Sequence, residues 1–508
     1  MILSRLRRFF RTMSFARVVC LGFLSAILIG SLAIYTSEAG EISYVDSFYL
    51  SASAICVTGL SPVNLSELNG STHWIILSLI QLGGLGIISF TVIVGFLVIK
   101  GISRNSKFNA FASAAIDKGE ETEKLKSNEV NRMLLSIINI SFTLEFLGAI
   151  GLYLHMPEGT EGPNERWFFS MFTAISAFNN AGFSITNDLS ALRYDPFSLC
   201  IVSGLVILGG IGFPVIILLE KILLTVLFRI VSRIEISTET ILLRKTLTTG
   251  RIPKLLLFPT EFSAFLEARI HNYNLHLRGE STRIQSKLLT YGSLTLLVFG
   301  GLGFYFLERG NPHTFAKLEF WDRVANAFFI SACSRTAGFA TMDFANLNDA
   351  SVIIIVVLMF IGGGPQGTAG GIKITTFVLL LAYLKNVIQP YKPVMLFGEV
   401  VSKNSVAIAI RVYFLATLSL ALAFIVLGIV DQNQHSLHVI FLELISSFST
   451  VGFSLNLTPQ LGDIEKLLYA SIMFVGRVGI FTILIAATGH SGVPKMGGSD
   501  DGVKIQVG

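Results

Sequence analysis

The sequence predicts an all-α polytopic membrane protein: four helix, half-helix, helix repeats around one pseudo-fourfold pore. Three observations predict it. The 508 residues are 52% hydrophobic and only 14% charged, with a mean hydropathy of +0.68. Uncharged windows such as Val18 to Ser37 and Trp74 to Val98 reach the about 20 residues that a hydrocarbon core requires. Finally, one short glycine motif recurs four times, each time between an apolar span and a second glycine.

A soluble chain of this composition would be coated in apolar surface, so lipid is its environment. The net charge of +5 sits in loops suited to an anionic cytoplasmic leaflet. No basic stretch is interleaved with aromatics, which leaves no nucleic-acid partner. Cys20, Cys56, Cys200 and Cys333 lie in apolar surroundings without metal-site or disulfide spacing. The eight histidines are scattered singly, and no catalytic constellation is visible, so the chain reads as no enzyme and calls for no organic cofactor. Arg5, Arg7, Arg8, Arg11 and Arg17 precede the first apolar window, which is too long for a signal peptide and lacks a convincing cleavage site.

The repeated motif reads SAICVTGLS from Ser53, SAFNNAGFS from Ser176, ACSRTAGFA from Ala332 and SSFSTVGFS from Ser446. Each copy has two small residues, four variable ones, then glycine, a large apolar residue and a small one. A second glycine follows Gly59, Gly182, Gly338 and Gly452 after 24, 27, 24 and 24 residues, at Gly83, Gly209, Gly362 and Gly476. It is paired with another glycine in three copies and with Arg477 in the fourth.

Apolar spans near 16–38, 131–155, 285–307 and 406–430 precede the four motifs. Between each span and its glycine lie a short loop and about 12 to 14 apolar residues, such as Tyr44 to Val57. At about 1.5 Å per residue that segment reaches roughly 20 Å, too short to cross. It must enter and turn back, giving about eight transmembrane helices plus four re-entrant half-helices. Non-helical backbone at membrane depth is tolerated only inside protein or along a wet cavity, so the four turns imply a central pore.

The repeats divide the chain into 16–100, 127–228, 285–389 and 405–490, with an N-terminus at 1–15, a linker at 229–284 and a tail at 491–508. Lys and Arg gather at the N-terminus, between 100 and 132 and in the long linker, and are sparse beside the glycine turns. By the positive-inside rule both termini are cytoplasmic and the turns open outward.

A half-helix points its partially negative C-terminal end into the cavity, which favours a cation. Glycine permits the positive φ that a turn needs when its carbonyls share one axis, and such carbonyls replace an ion's water. Thr450-Val451-Gly452-Phe453 is close to the TVGYG filter of K⁺ channels, while the other three copies keep little beyond the glycine.

On these four segments, and on the run Gly363-Gly364-Pro365-Gln366-Gly367-Thr368-Ala369-Gly370-Gly371-Ile372-Lys373, the chain resembles the K⁺ transporter superfamily of TrkH, KtrB and the plant and fungal high-affinity transporters, from about residue 16 to 490. The resemblance implies K⁺ uptake at the plasma membrane of a bacterial cell. K⁺ would be held by Val57, Thr58 and Gly59; Asn180, Ala181 and Gly182; Thr336, Ala337 and Gly338; and Thr450, Val451 and Gly452. Gly59 fits members that accept K⁺, a serine there being associated with Na⁺ preference. The family also implies a homodimer on a ring of cytoplasmic nucleotide-binding (RCK-type) regulatory subunits. No nucleotide motif occurs in this chain, so such control would come from that partner.

Gly362 to Gly371 places six glycines, a proline and a threonine in ten residues, which no helix survives. The matching stretch of the family is an intramembrane gate, here Gly363, Gly364, Pro365, Gly367, Thr368, Ala369, Gly370, Gly371 and Lys373. Arg477 stands alone in an otherwise uncharged run from Leu467 to Thr488 and matches a family arginine below the filter. Its alternatives are a cavity charge and a helix-locking salt bridge to Glu443. Glu145, inside the second repeat's first span, reads as a hydrogen-bonded packing group or as a proton or Na⁺ site. The long linker resembles an enlarged version of the family's. A Na⁺- or H⁺-coupled symporter with alternating access is the competing reading, although such folds usually repeat twice with inverted topology.

Overall fold

A computed structural model describes residues 15–84, 127–155, 163–186, 188–212, 215–226, 228–229, 280–388, 392–488 and 502–507. Residues 1–14, the basic stretch 100–126, most of the linker and the tail at 491–501 lie outside the described residues, as does the far end of the first repeat's second span. The chain forms two units, 1–212 with 289–508 and 213–288, and the smaller contains the helix Val215–Val226.

In the first repeat α1 spans Phe15–Ser37, α2 Tyr44–Cys56 and α3 Gly70–Gly84. The second comprises α4 Ser127–His155, α5 Pro163–Phe178 and α6 Pro196–Ile211. In the third, α7 Glu280–Glu308 and α8 Phe320–Thr336 are followed by two shorter helices, α9 Asp349–Phe360 and α10 Ile374–Ile388, on either side of the glycine run. A two-residue hairpin of β1 Met395–Leu396 and β2 Glu399–Val400 leads to the fourth repeat, α11 Lys403–Val430, α12 Leu437–Ser449, α13 Asp463–Val478 and α14 Ile480–Thr488.

The four first helices, α1, α4, α7 and α11, are long and apolar enough to cross a bilayer. Two half-helices have the expected 13 residues, while α5 and α8 have 16 and 17. Their extra turn begins upstream of the apolar run, where Pro163 opens α5 and Asp322 adds a negative charge to the first turn of α8. Sequence hydrophobicity marks only the part of each half-helix that is buried.

Local capping explains where the elements start. The Ser43 hydroxyl accepts from the Asp46 amide at 3.0 Å to open α2, and Ser402 accepts from Ser405 at 3.1 Å to open α11. Two carboxylates at the ends of first helices cap second helices from across the repeat. Glu38 accepts from the Asn69 amide at 3.0 Å, and Glu308 accepts from the Asn348 amide at 2.9 Å. Each places negative charge at a helix N-terminus and fixes the angle between the two spans. After every glycine turn comes a single 3₁₀ turn, at Leu65–Glu67, Ser190–Leu192, Phe344–Asn346 and Thr458–Gln460.

The last repeat meets the first. Lys466 on α13 pairs with Asp46 on α2 at 2.6 Å, and Arg17 Nε on α1 donates to the Ala486 carbonyl on α14 at 2.7 Å. The described end of the tail runs beside the hairpin, where Val503 donates to the Val400 carbonyl and accepts from the Ser402 amide.

In the loop between α11 and α12, Asp431 and His435 pair at 2.5 Å. The hydrogen bond that the imidazole donates to the Asp431 carboxylate raises His435 above its ordinary value. A raised folded-state value contributes stability that is complete below the unfolded value and disappears as pH rises through the folded one. His435→Gln is therefore expected to lower the detergent melting temperature by about 1–2 °C at pH 5.5 and by nothing measurable at pH 9. A loss equal at both pH values would show that the pair acts through packing alone.

Candidate functional site

Each half-helix ends in a turn of unusual backbone. Val57, Asn180 and Thr450, within two residues of the end of their half-helices, lie at φ 60°, 58° and 49°, in the left-handed region. Two of the three are β-branched, a choice that costs about 1–3 kcal/mol and persists only where the surroundings over-determine it. The third turn differs: Thr336 still closes α8, and Ala337 sits at φ −119°. In all four the glycine has positive φ, 93° at Gly59, 71° at Gly182, 62° at Gly338 and 97° at Gly452.

The glycines then interlock. A Cβ on Gly59 would collide with the Ala181 carbonyl oxygen, one on Gly182 with that of Ala337, one on Gly338 with that of Val451, and one on Gly452 with that of Thr58. Repeat one thus abuts two, two abuts three, three abuts four, and four returns to one. The residue preceding each glycine supplies the carbonyl, so Thr58, Ala181, Ala337 and Val451 are equivalent members of one closed ring. The turns are pinned from behind. The Ser53 hydroxyl accepts from the Gly59 amide and the Ser446 hydroxyl from the Gly452 amide, both at 3.1 Å. Leu60, Phe183, Phe339 and Phe453, the large apolar residues of the motif, are buried, with the Phe453 ring tilted against Phe344 at 4.1 Å between centroids.

The second glycines perform one task in three repeats. Gly83, Gly209 and Gly476 lie against the carbonyls of Ile55, Phe178 and Phe448, each four residues before its turn glycine, where a Cβ would not fit. They let the second helix touch the end of its own half-helix. In the third repeat Gly362 instead faces Gly370, because the helix has broken.

That break, between Phe360 and Ile374, folds as a buried loop. The Gly362 amide donates to the Ile372 carbonyl at 2.8 Å, closing the loop at its base. Gly364 and Thr368 donate to the Gly210 and Gly209 carbonyls of α6, at 2.8 and 3.2 Å. On the other side Gly370 and Gly371 press against Thr450 and Ser449, immediately beneath the fourth turn. The loop is therefore wedged between repeats two and four, and its glycines are required by backbone contact on both sides.

Arg477 is buried and donates to two backbone carbonyls, Thr368 in the loop and Gly83 on α3. It forms no bridge to Glu443, which accepts from the Thr458 hydroxyl on the 3₁₀ turn behind its own motif. Lys373 folds back on the Ala369 carbonyl. The Asn180 amide, oriented to satisfy its neighbours, accepts from Thr336 Oγ1 at 2.9 Å and Thr368 Oγ1 at 3.1 Å. One threonine of the loop is thus tied to the second turn, to α6 and to Arg477.

Sequence reasoning missed Arg335. Its buried guanidinium donates to Ser293 on α7 at 3.2 Å, placing a cation behind the third turn. An arginine within an apolar half-helix was the available signal.

Comparison with known proteins agrees with this architecture. The family profile described as TrkH, cation transport protein, matches residues 22–492. The potassium/sodium uptake protein NtpJ of Enterococcus hirae is 28% identical over 489 residues, covering 94% of both chains. The Ktr system potassium uptake protein B of Bacillus subtilis is 28% identical over 482 residues, covering 92% of both. The crystal structure of the potassium transporter TrkH from Vibrio parahaemolyticus superposes with a TM-score of 0.64 at 18% identity, over 93% of this chain and 85% of that one.

Proposed function

Because this chain belongs to the TrkH family of cation transport proteins, and is a multi-pass membrane protein and not an enzyme, we propose that it carries K⁺ into the cell through the ring of four glycine turns. The single observation behind this reading is the closure of that ring. Four carbonyls, at Thr58, Ala181, Ala337 and Val451, each abut the glycine of a neighbouring turn just beyond the C-termini of the four half-helices. The helix ends make the centre attractive to a cation, and carbonyl oxygens replace its water. Carbonyls of Val57, Asn180, Thr336 and Thr450 extend the filter inward.

The loop from Gly363 to Lys373 is the gate. Its wedging beneath the fourth turn and against α6 supports the assignment, since a plug there would obstruct a central path. Arg477 holds the plug shut. The relatives from Enterococcus hirae and Bacillus subtilis are named for potassium/sodium and potassium uptake, which supports K⁺ as the cargo and leaves Na⁺ as its competitor. A homodimer on a cytoplasmic RCK-type nucleotide-binding subunit would supply control, with both termini on the cytoplasmic face. The contact of Arg17 with Ala486, which sets the start of α1 beside the end of α14, supports one face for both termini.

The test is ⁸⁶Rb⁺ uptake into K⁺-uptake-deficient cells or proteoliposomes, with and without nucleotide and regulatory subunit. Saturable, protein-dependent uptake is expected. No flux under any of these conditions would sink the proposal, and flux strictly driven by a Na⁺ or H⁺ gradient would replace it with coupled symport.

A further inference from the structure

Glu145 lies midway along α4, within a membrane-spanning helix, and is 3% exposed. A carboxylate at that depth is expensive unless fully hydrogen-bonded. Its partners are two amides. Gln81 Nε2, on α3 of the first repeat, donates to Oε1 at 3.1 Å and to Oε2 at 3.3 Å. Asn179 Nδ2 donates to Oε1 at 3.0 Å and lies 3.1 Å from Gln81 Oε1, closing a triangle. Asn179 immediately precedes Asn180, the left-handed residue of the second candidate filter turn, and is itself the first residue beyond α5. Gly84 presses its helix against the same asparagine so closely that a Cβ could not be accommodated.

The carboxylate therefore grips the base of one filter turn from behind and ties it to the neighbouring repeat. Among the described residues no other turn is held by a carboxylate in this way: the first and fourth lean on serine hydroxyls of their own half-helices, and Arg335 stands behind the third. The second repeat has a serine at the matching position, Ser176, yet its hydroxyl accepts no hydrogen bond from the Gly182 amide.

We infer that Glu145 is a positioning residue for ion selection, which through Gln81 and Asn179 fixes the Asn180 and Ala181 carbonyls at the spacing that favours K⁺ over Na⁺. The inference rests on the reading of the glycine turns as the filter. Groups that orient ion ligands from behind commonly change affinity or activity by about 10- to 100-fold when removed.

The experiment compares Glu145→Leu, Glu145→Gln and Gln81→Leu by the KM for ⁸⁶Rb⁺ and the Na⁺ concentration that halves uptake, with membrane abundance measured in parallel. Glu145→Leu and Gln81→Leu are expected to raise KM roughly tenfold and to make Na⁺ a stronger competitor. Glu145→Gln, which keeps an acceptor oxygen, is expected to recover most of both. An abundant Glu145→Leu or Gln81→Leu protein with unchanged KM and Na⁺ competition overturns the inference, as does a Glu145→Gln protein as defective as Glu145→Leu, since charge and not positioning would then be at work. Should Glu145→Leu fail to reach the membrane, Gln81→Leu decides alone. Failure of the filter reading itself shows differently, as absent Rb⁺ flux in the unaltered protein.

Discussion

Gly182→Ala is expected to reduce ⁸⁶Rb⁺ uptake roughly a hundredfold while the protein still reaches the membrane. Two costs add at that position. A side chain at φ 71° loses about 1–2 kcal/mol in the left-handed region. The new methyl also meets the Ala337 carbonyl oxygen of the next repeat, and overpacking of this kind costs about 1–3 kcal/mol. Neither atom can yield alone, because the carbonyl belongs to a turn that is itself locked against the fourth repeat. A sum of about 2–5 kcal/mol, at about 1.4 kcal/mol per tenfold in rate, gives the stated effect. Gly204→Ala is the matched control, since a Cβ there meets nothing within 4 Å. Uptake by Gly182→Ala equal to the control would refute the interlocked ring as the path of the ion.

Arg477→Ala is expected to produce the opposite change, a flux raised roughly tenfold in the absence of any regulatory subunit. Removing the guanidinium strips the Thr368 and Gly83 carbonyls of a charged donor. A buried group left unsatisfied costs about 1–3 kcal/mol, and the Thr368 carbonyl recovers its hydration when the loop moves out. If the loop is the gate, its closed state thus loses about 1–3 kcal/mol relative to the open one, about 5- to 150-fold in their ratio. Thr368→Val removes the hydroxyl tie to Asn180 and is expected to act in the same direction with smaller effect. Flux unchanged in both variants, at normal abundance, would leave the arginine a packing residue.

Much of this architecture was legible because its signals are local. Hydrophobic runs marked the first helices, and the recurring glycines marked the turns in the right order and number. The six-glycine stretch announced the break between α9 and α10, since glycine and proline disfavour a helix wherever they occur. Contacts across the sequence were not legible. The purpose of Gly83, Gly209 and Gly476 depends on carbonyls of a different helix. Glu443 invited pairing with Arg477 by charge alone, yet it turns to Thr458, fifteen residues on, while Arg477 finds neutral carbonyls. Backbone carbonyls of the loop and of α3 thus serve a buried cation where a carboxylate would be expected. No one-dimensional pattern reports that choice.

The closed ring also dictates an order of assembly. Gly452 of the last repeat seats against Thr58 of the first, and Arg477 reaches Gly83 across 394 positions of sequence. Repeats one to three therefore enter the bilayer with one side of the ring missing and polar turn backbone at membrane depth, a state that lipid penalises. Only the arrival of α12 and α13 closes it. A chain interrupted anywhere before the fourth turn therefore lacks the contacts that Gly452 and Arg477 make with the first repeat, and its ring of turns stays open.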